Sequence, residues 1–104
     1  MLFNKVAIIG VGLIGSSLAR VIRHNHLAKI ITGFDNNPEY LRKAKEIGVI
    51  DEVAENAAGA AAEADLVVLA TPVGAYGAIS AEIVPVMKKG AVITDVGSVK
   101  KYAA

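Results

Sequence analysis

The chain has 104 residues, enough for one small domain, and its formal net charge of +1 excludes the strongly basic surface typical of nucleic-acid-binding proteins. Apolar residues make up 54% of it and aromatic residues 5%, a mixture that suits a buried parallel sheet covered by helices. It contains no cysteine, which excludes a disulfide framework, and no apolar run reaches the roughly 18 residues of a membrane span. Because Lys5 leads directly into a predicted strand, the layout of a signal peptide is missing, and we expect a cytoplasmic protein without nucleic-acid or membrane partners.

The first predicted strand, about Lys5–Ile9, is followed by Gly10, Gly12 and Gly15 at G-x-G-x-x-G spacing. In dinucleotide-binding domains the first of these glycines permits a tight turn, and the second lets the backbone approach a pyrophosphate. The third lets the helix pack closely on the strand. A helix pattern over about Leu13–His24 begins inside this loop, so unbonded N–H groups of its first turn would face the phosphates. The alternative is a glycine-rich turn that only packs tightly.

The first predicted helix has an apolar face, which we expect to be buried. His24 and His26 lie at its far end, about three turns of 5.4 Å from the phosphate end, so we interpret them as structural or surface residues. The apolar residues that recur at helical spacing are Ile14, Leu18, Val21 and Ile22.

The second predicted strand, Ile30–Phe34, leads into Asp35, which lies 20 residues after Gly15. A carboxylate at this point can accept hydrogen bonds from the ribose hydroxyls of a dinucleotide, and it would repel a 2′-phosphate. No arginine adjoins it to accommodate that phosphate. The pattern therefore predicts NAD in preference to NADP. The alternative role is an Asx-turn carboxylate that only organises the loop.

The elements that follow alternate between helix and strand. Asn37 is expected to cap a second helix that continues to Ile47 and stops at Gly48, and Pro85 is expected to kink or shorten a later helix. That later helix is predicted to bury Ile79, Ile83, Val84 and Met87. After the second helix the predicted elements are a strand at Val49–Val53, a short helix at Ala57–Ala64, a central strand at Leu66–Ala70, a helix at about Ala75–Met87 and a strand at Ala91–Thr94.

This alternation predicts an α/β fold, a Rossmann-type doubly wound parallel sheet in a single three-layer domain. Crossovers between parallel strands are nearly always right-handed, so the expected strand order is 3-2-1-4-5.

Two further segments follow the carboxyl ends of predicted strands, where ligands of open parallel sheets bind. Thr71, Pro72 and Val73 could line the cofactor, or they could simply end one element and begin the next. Ser98 could direct its hydroxyl toward a nicotinamide or substrate, or it could cap a helix, and the two roles are compatible. The sequence offers no metal-ligand cluster.

Four segments together resemble the prephenate/arogenate dehydrogenase family, in particular its amino-terminal NAD(P)-binding domain. They are Val6–Gly15 with the two serines after it, Gly33–Asp35, Leu69–Val73 and Thr94–Lys100. The glycine pattern is common to many dehydrogenases, whereas T-D-x-G-S-V-K after the last strand is more specific. The resemblance covers essentially the whole chain.

The resemblance implies an enzyme of tyrosine biosynthesis in which NAD(P) accepts hydride from prephenate or arogenate while the ring carboxylate leaves as carbon dioxide. It assigns Ser98 to catalysis, near the nicotinamide and the substrate. It assigns the glycine loop and Asp35 to the cofactor. Together with the segment after the fourth strand, the expected cofactor-binding residues are Gly10, Gly12, Leu13, Ile14, Gly15, Asp35, Thr71, Pro72 and Val73.

In that family a helical carboxyl-terminal domain completes the active site and usually builds a homodimer. We therefore expect residues 1–104 to be the dinucleotide-binding domain of a longer protein and to be inactive alone. Two alternatives remain open, an NAD-sensing regulatory module and a relative of β-hydroxyacid or imino-acid reductases.

Overall fold

Five parallel strands form one sheet in the order β3-β2-β1-β4-β5, with helices on both faces. The structure is a computed structural model that describes residues 3–10, 12–70 and 76–95. Within these residues the strands are β1 (Phe3–Ile9), β2 (Ala28–Phe34), β3 (Glu52–Val53), β4 (Leu66–Leu69) and β5 (Val92–Asp95). The helices are α1 (Leu13–His24), α2 (Pro38–Glu46), α3 (Ala57–Ala61) and α4 (Tyr76–Ile83), followed by a 3-10 turn at Val84–Val86. The predicted Rossmann-type fold and its strand order are confirmed.

Strand β1 lies in the middle of the sheet and is buried on both faces. Val6 and Ile8 pack with residues of α1 and α2, whereas Ala7 and Ile9 pack with residues of α3 and α4. Successive side chains of a strand point to opposite faces, so this one apolar strand supplies the centre of two core layers. Burying a valine or isoleucine side chain stabilises the fold by about 1.5–3 kcal/mol relative to leaving it exposed. The result is the three-layer domain that the sequence predicts.

Helix α1 packs on the sheet through Ala19 and Ile22, with Leu18 partly buried beside them. The prediction that Val21 is buried is wrong, because its side chain is 52% exposed. Each residue turns the helix by about 100°, so Val21 lies about 160° around the helix from Ala19, which is fully buried, and therefore points away from the sheet.

Helix α2 begins and ends as its sequence predicts. Asn37 is the N-cap, and its side chain accepts a hydrogen bond of 3.0 Å from the N–H of Glu39. Pro38 occupies the first turn, where its missing N–H removes no helical bond. Gly48 follows the helix with a φ of +81°, a conformation that glycine adopts without strain.

Strand β3 is shorter than the predicted range Val49–Val53. The N–H of Val49 donates to the carbonyl of Ala44 at 3.0 Å and so belongs to the end of α2. Val49 and Ile50 are buried in the core without joining the sheet. The N–H of Asp51 bonds to Ile31 of β2, and the paired residues of β3 begin at Glu52. Val49 and Ile50 are therefore apolar because they fill the core, and the prediction that they belong to a strand is wrong.

Helix α1 has its predicted bounds, and the boundaries of the elements other than β3 differ from the predicted ones by at most four residues, the largest difference being at the end of α4. Helix α3 ends three residues early because Ala62 is extended and Glu63 has a φ of +66°. No helix in the described ranges is long and apolar enough to span a bilayer.

Helix α4 ends at Ile83, as the position of Pro85 predicts. Proline has no N–H to donate to the carbonyl four residues earlier, and the chain tightens into a 3-10 turn there. Ile83 is buried, and Ile79 and Met87 are partly buried against the same cluster. Val84 was expected in the core but is 56% exposed, because the turn carries it away from the helical face.

Candidate functional site

A cavity of about 570 Å³ opens at the carboxyl edge of the sheet, where β1 lies beside β4. The chain leaves β1 toward one face and β4 toward the other, which makes this the switch point at which ligands bind to open parallel sheets. Polar and glycine residues that line the cavity include Gly10, Gly12, Asp35, Tyr40, Asn56 and Glu82.

Gly10 makes the turn out of β1. Its φ is +93°, a value that strains any residue with a Cβ. Its N–H donates to the carbonyl of Phe34 at 2.7 Å, which ties the end of β1 to the end of β2. The structure therefore brings the glycine loop next to Asp35.

Gly15 lies where α1 crosses the loop. A Cβ at this position would overlap the carbonyl oxygen of Gly10 and would lie 3.2 Å from Cγ2 of Ile8. The absence of a side chain is what allows the helix to pack this closely on the strand, the role that the spacing predicts.

Gly12 is the N-cap of α1, and it has no side chain to accept a hydrogen bond from the N–H groups of the first turn. That turn also contains no acidic residue, and the basic residues Arg23 and His24 lie at the opposite end of the helix. The amino end of a helix carries a partial positive charge and unbonded N–H groups, which together favour an anion. The head of α1 is therefore suited to a phosphate group.

Asp35 accepts hydrogen bonds from two backbone N–H groups beside the cavity. Its Oδ2 accepts a hydrogen bond of 3.3 Å from the N–H of Gly12, and its Oδ1 accepts one of 2.8 Å from the N–H of Asn37. The second bond is an Asx turn, the alternative that the sequence left open. The same carboxylate also lines the cavity, so the loop-organising role and a ligand-binding role are compatible at this residue.

The predicted site residues fall into three groups. Gly10, Gly12 and Asp35 line the cavity, and Gly15 supports the loop from the side of β1. Leu13 and Ile14 open α1 directly after Gly12. The remaining predicted residues lie outside the described part of the chain; they are Thr71, Pro72, Val73 and Ser98.

Sequence reasoning missed several cavity residues, among them Tyr40, Asn56 and Glu82. Tyr40 lies on α2, and its Cε2 is 3.8 Å from the place of a Cβ on Gly12. Asn56 precedes an alanine-rich run, which signals a helix cap but no ligand contact. Glu82 looks like an ordinary exposed helix residue, and only the packing of α4 against α3 brings it to the cavity.

His24, His26 and Asp65 are titratable residues that lie away from the cavity. His24 and His26 are exposed, as expected for surface residues. Asp65 lies at the opposite edge of the sheet, where it binds Lys88 and accepts hydrogen bonds from the N–H groups of Asn4 at 2.6 Å and Lys5 at 3.2 Å. The bond from Lys88, followed by those from the backbone, holds the pKa of Asp65 below its ordinary value of 3.8. In the described residues, no three His, Asp or Glu side chains come close enough to hold a metal ion.

Curated proteins with similar sequences are dehydrogenases. The chain is 39% identical over 99 residues to cyclohexadienyl dehydrogenase of Zymomonas mobilis, a match that covers 94% of this chain and 33% of that protein. It is 37% identical over 99 residues to prephenate dehydrogenase of Bacillus subtilis, covering 94% of this chain and 27% of that protein. The chain thus spans about a third or less of the length of these relatives.

Solved structures give the same assignment. Prephenate dehydrogenase from A. aeolicus, in complex with hydroxyphenyl propionate and NAD+, superposes with a TM-score of 0.80 at 33% identity, covering 88% of this chain and 32% of that one. Synechocystis arogenate dehydrogenase superposes with a TM-score of 0.78 at 26% identity, covering 88% and 32%. The family model described as the nucleotide-binding domain of prephenate dehydrogenase matches residues 18–104. The chain therefore belongs to the family of prephenate dehydrogenase nucleotide-binding domains.

Proposed function

We propose that this chain is the NAD-binding domain of a prephenate or arogenate dehydrogenase, an enzyme of tyrosine biosynthesis. The observation that carries the proposal is the cavity at the β1–β4 switch point, which the glycine loop and Asp35 enclose together. Prephenate, cyclohexadienyl and arogenate dehydrogenases among its relatives support the substrate class.

The residues present fit a dinucleotide. The head of α1 has neither a side-chain cap nor an acidic residue in its first turn, so its N–H groups, with those of Leu13 and Ile14 among them, suit a pyrophosphate. Gly12 leaves room for that approach, and Gly15 holds the helix against the strand. Asp35 lies at the cavity wall, where its carboxylate can accept hydrogen bonds from ribose hydroxyls.

Asp35 also supports NAD in preference to NADP. A 2′-phosphate would meet its negative charge, and the next two residues, Asn36 and Asn37, are neutral. No cation in these positions would offset the repulsion.

In this proposal, the residues next to the reacting part of the cofactor and the substrate lie in the segments after β4 and β5. We assign Thr71, Pro72 and Val73 to the cofactor wall, because Ala70, the residue before them, lines the cavity. We assign Ser98 to the orientation of a reacting hydroxyl, because it follows β5, the neighbour of β4. Bound NAD supplies the hydride acceptor for the oxidative decarboxylation.

Residues 1–104 are, in this proposal, one dinucleotide-binding domain, and the larger part of the relatives' length supplies a helical domain for catalysis and homodimer formation. The enzyme acts in the cytoplasm. The 104-residue chain by itself is then expected to show negligible oxidation of prephenate, measured as NADH absorbance. Ordinary turnover would show that the missing part is not needed.

The two alternatives receive less support. Neither an NAD-sensing regulatory module nor a β-hydroxyacid reductase accounts for the match of residues 18–104 to the prephenate dehydrogenase domain. A 3-hydroxyisobutyrate dehydrogenase superposes with a TM-score of 0.77, but at 24% identity this likeness concerns the fold alone.

The test is calorimetric titration of the chain with NADH and with NADPH. We expect NADH to bind more tightly than NADPH. Asp35→Asn should reduce the ratio of the two dissociation constants by about tenfold, because it removes a charge facing the 2′-phosphate. Glu46→Gln, on the exposed surface of α2 and outside the cavity, removes the same charge and should leave the difference unchanged.

Equal affinities for the two cofactors, or tighter NADPH binding, would contradict the assignment of NAD. Failure of the wild-type chain to bind either dinucleotide would overturn the proposed function as a whole.

A further inference from the structure

The cavity extends past Asp35 to the facing ends of α3 and α4, where four lining residues have no role in the function proposed above. Two of them are apolar: Ala57 is 2% exposed, and Ile79 is partly buried. The other two, Asn56 and Glu82, are polar and lie on the exposed side. Both helices belong to one core cluster, so these four residues are held on a packed surface.

We propose that Asn56 and Glu82 recognise the Watson–Crick edge of the adenine base and make the site selective for adenine over 6-oxopurines. This inference rests on the proposed binding of NAD. With the pyrophosphate at the head of α1 and the ribose at Asp35, the base must extend away from the glycine loop. The part of the cavity in that direction is the region of α3 and α4.

The apolar lining suits the face of a purine. Ile79 is only partly buried, so a flat aromatic ring that lies on it removes apolar surface from water, and the buried Ala57 forms the cavity wall nearby. The edge of the ring is then available to the two polar residues.

Asn56 presents a donor in a fixed orientation. Its Oδ1 accepts a hydrogen bond of 2.6 Å from the N–H of Gly59, which caps α3. Because the oxygen is committed to this cap, the Nδ2 group is left to donate. A ring nitrogen with a lone pair is the matching partner.

Glu82 presents the opposite polarity. An ionised carboxylate only accepts hydrogen bonds, so it suits an exocyclic amino group. Adenine offers this pair of groups side by side, with N6 as the donor and N1 as the acceptor. Hypoxanthine replaces them with O6, an acceptor, and N1–H, a donor, and it would face like polarity at both residues.

The experiment compares NAD with nicotinamide hypoxanthine dinucleotide by calorimetric titration of the 104-residue chain. We expect the wild type to bind NAD about tenfold more tightly, the size of one charge-assisted hydrogen bond. Glu82→Gln replaces the obligate acceptor with an amide that can also donate to O6, and it should reduce the ratio to about threefold or less. Glu46→Gln, an exposed substitution outside the cavity, should keep the wild-type ratio.

A second variant isolates Asn56 without removing the helix cap. Asn56→Asp keeps an oxygen to accept from the N–H of Gly59 and loses the donor, so NAD should weaken while the hypoxanthine dinucleotide should bind more tightly. The combination with Glu82→Gln should prefer the hypoxanthine dinucleotide.

Binding of NAD with a preference that Glu82→Gln and Asn56→Asp leave unchanged would overturn this inference while the proposed function stood. Equal binding of both dinucleotides by the wild type would overturn it as well. Absence of binding to either one is the separate result that would end the proposed function.

Discussion

Gly15 of α1 packs against the backbone carbonyl of Gly10 so closely that a Cβ at position 15 would overlap its oxygen. The same Cβ would lie 3.2 Å from both the carbonyl carbon of Gly10 and Cγ2 of Ile8. Backbone atoms cannot rotate away as a flexible side chain can. This contact therefore limits how closely α1 can approach β1 and helps to fix the position of the glycine loop.

Gly15→Ala is expected to destabilise the chain by about 1–3 kcal/mol, because the loop or the helix must shift to admit the methyl group. Urea unfolding followed by circular dichroism measures the change. Gly77→Ala is the matched control: a Cβ there meets no atom of the described residues within 4 Å, and alanine favours the helix by up to about 1 kcal/mol. Equal effects of the two substitutions would contradict the close contact.

Asp35→Ala is expected to lower the stability of the chain without any cofactor. It removes the acceptors of the N–H groups of Gly12 and Asn37, which should cost about 1–2 kcal/mol for the two bonds. Asp35→Asn keeps one oxygen for the Asx turn and should cost less. An Asp35→Ala chain as stable as the wild type would show that the carboxylate does not organise the loop.

Asp51 forms hydrogen bonds with β2 just before β3 begins. Its N–H donates to the carbonyl of Ile31 at 2.7 Å, and its Oδ2 accepts from the N–H of Ile31 at 2.8 Å and from Arg23 at 2.7 Å. Asp51→Ala leaves the N–H of buried Ile31 without its partner, so we expect a loss of about 1–3 kcal/mol in urea unfolding. Asp51→Asn retains an acceptor and should lose less; the reverse ranking would contradict this account.

The lowered pKa of Asp65 predicts how the stability of the chain changes in acid. Its folded pKa lies below the ordinary value of 3.8, so its stabilisation is fully present above that pH and is lost as the pH falls through the folded pKa. The difference in unfolding free energy between wild type and Asp65→Asn should be constant near neutral pH and should shrink below about pH 4. Lys88→Met, which removes the principal cause of the shift, should reduce this dependence. A difference that does not change with pH would contradict the assignment.

Much of the fold could be predicted because the signals are local. Asn37 as a cap, Gly48 as a helix end and Pro85 as a break each act within a few residues, and the structure has them in these roles. The burial of Val21 was mispredicted because hydrophobicity alone does not fix which part of a helix faces the sheet.

The site was only half predictable, for a related reason. The glycine loop and Asp35 have a spacing that reflects one βαβ unit, so the sequence carries their relation. Asn56 and Glu82 come from separate crossovers, and no spacing records that α3 and α4 bring them to one cavity. Contacts between distant elements arise from packing and require the folded chain.

The hydrogen bond from Gly12 to Asp35 makes the loop and the acid thermodynamically inseparable. Asp35→Ala removes the acceptor of this bond, whereas a non-proline substitution at position 12 keeps the backbone N–H and acts only through the geometry of the loop. The two effects meet at one bond, so a double-mutant cycle should return a non-zero coupling energy. Single substitutions therefore overstate what each residue contributes by itself. In the proposed complex with NAD, the contacts with the pyrophosphate and with the ribose are therefore expected to be energetically coupled.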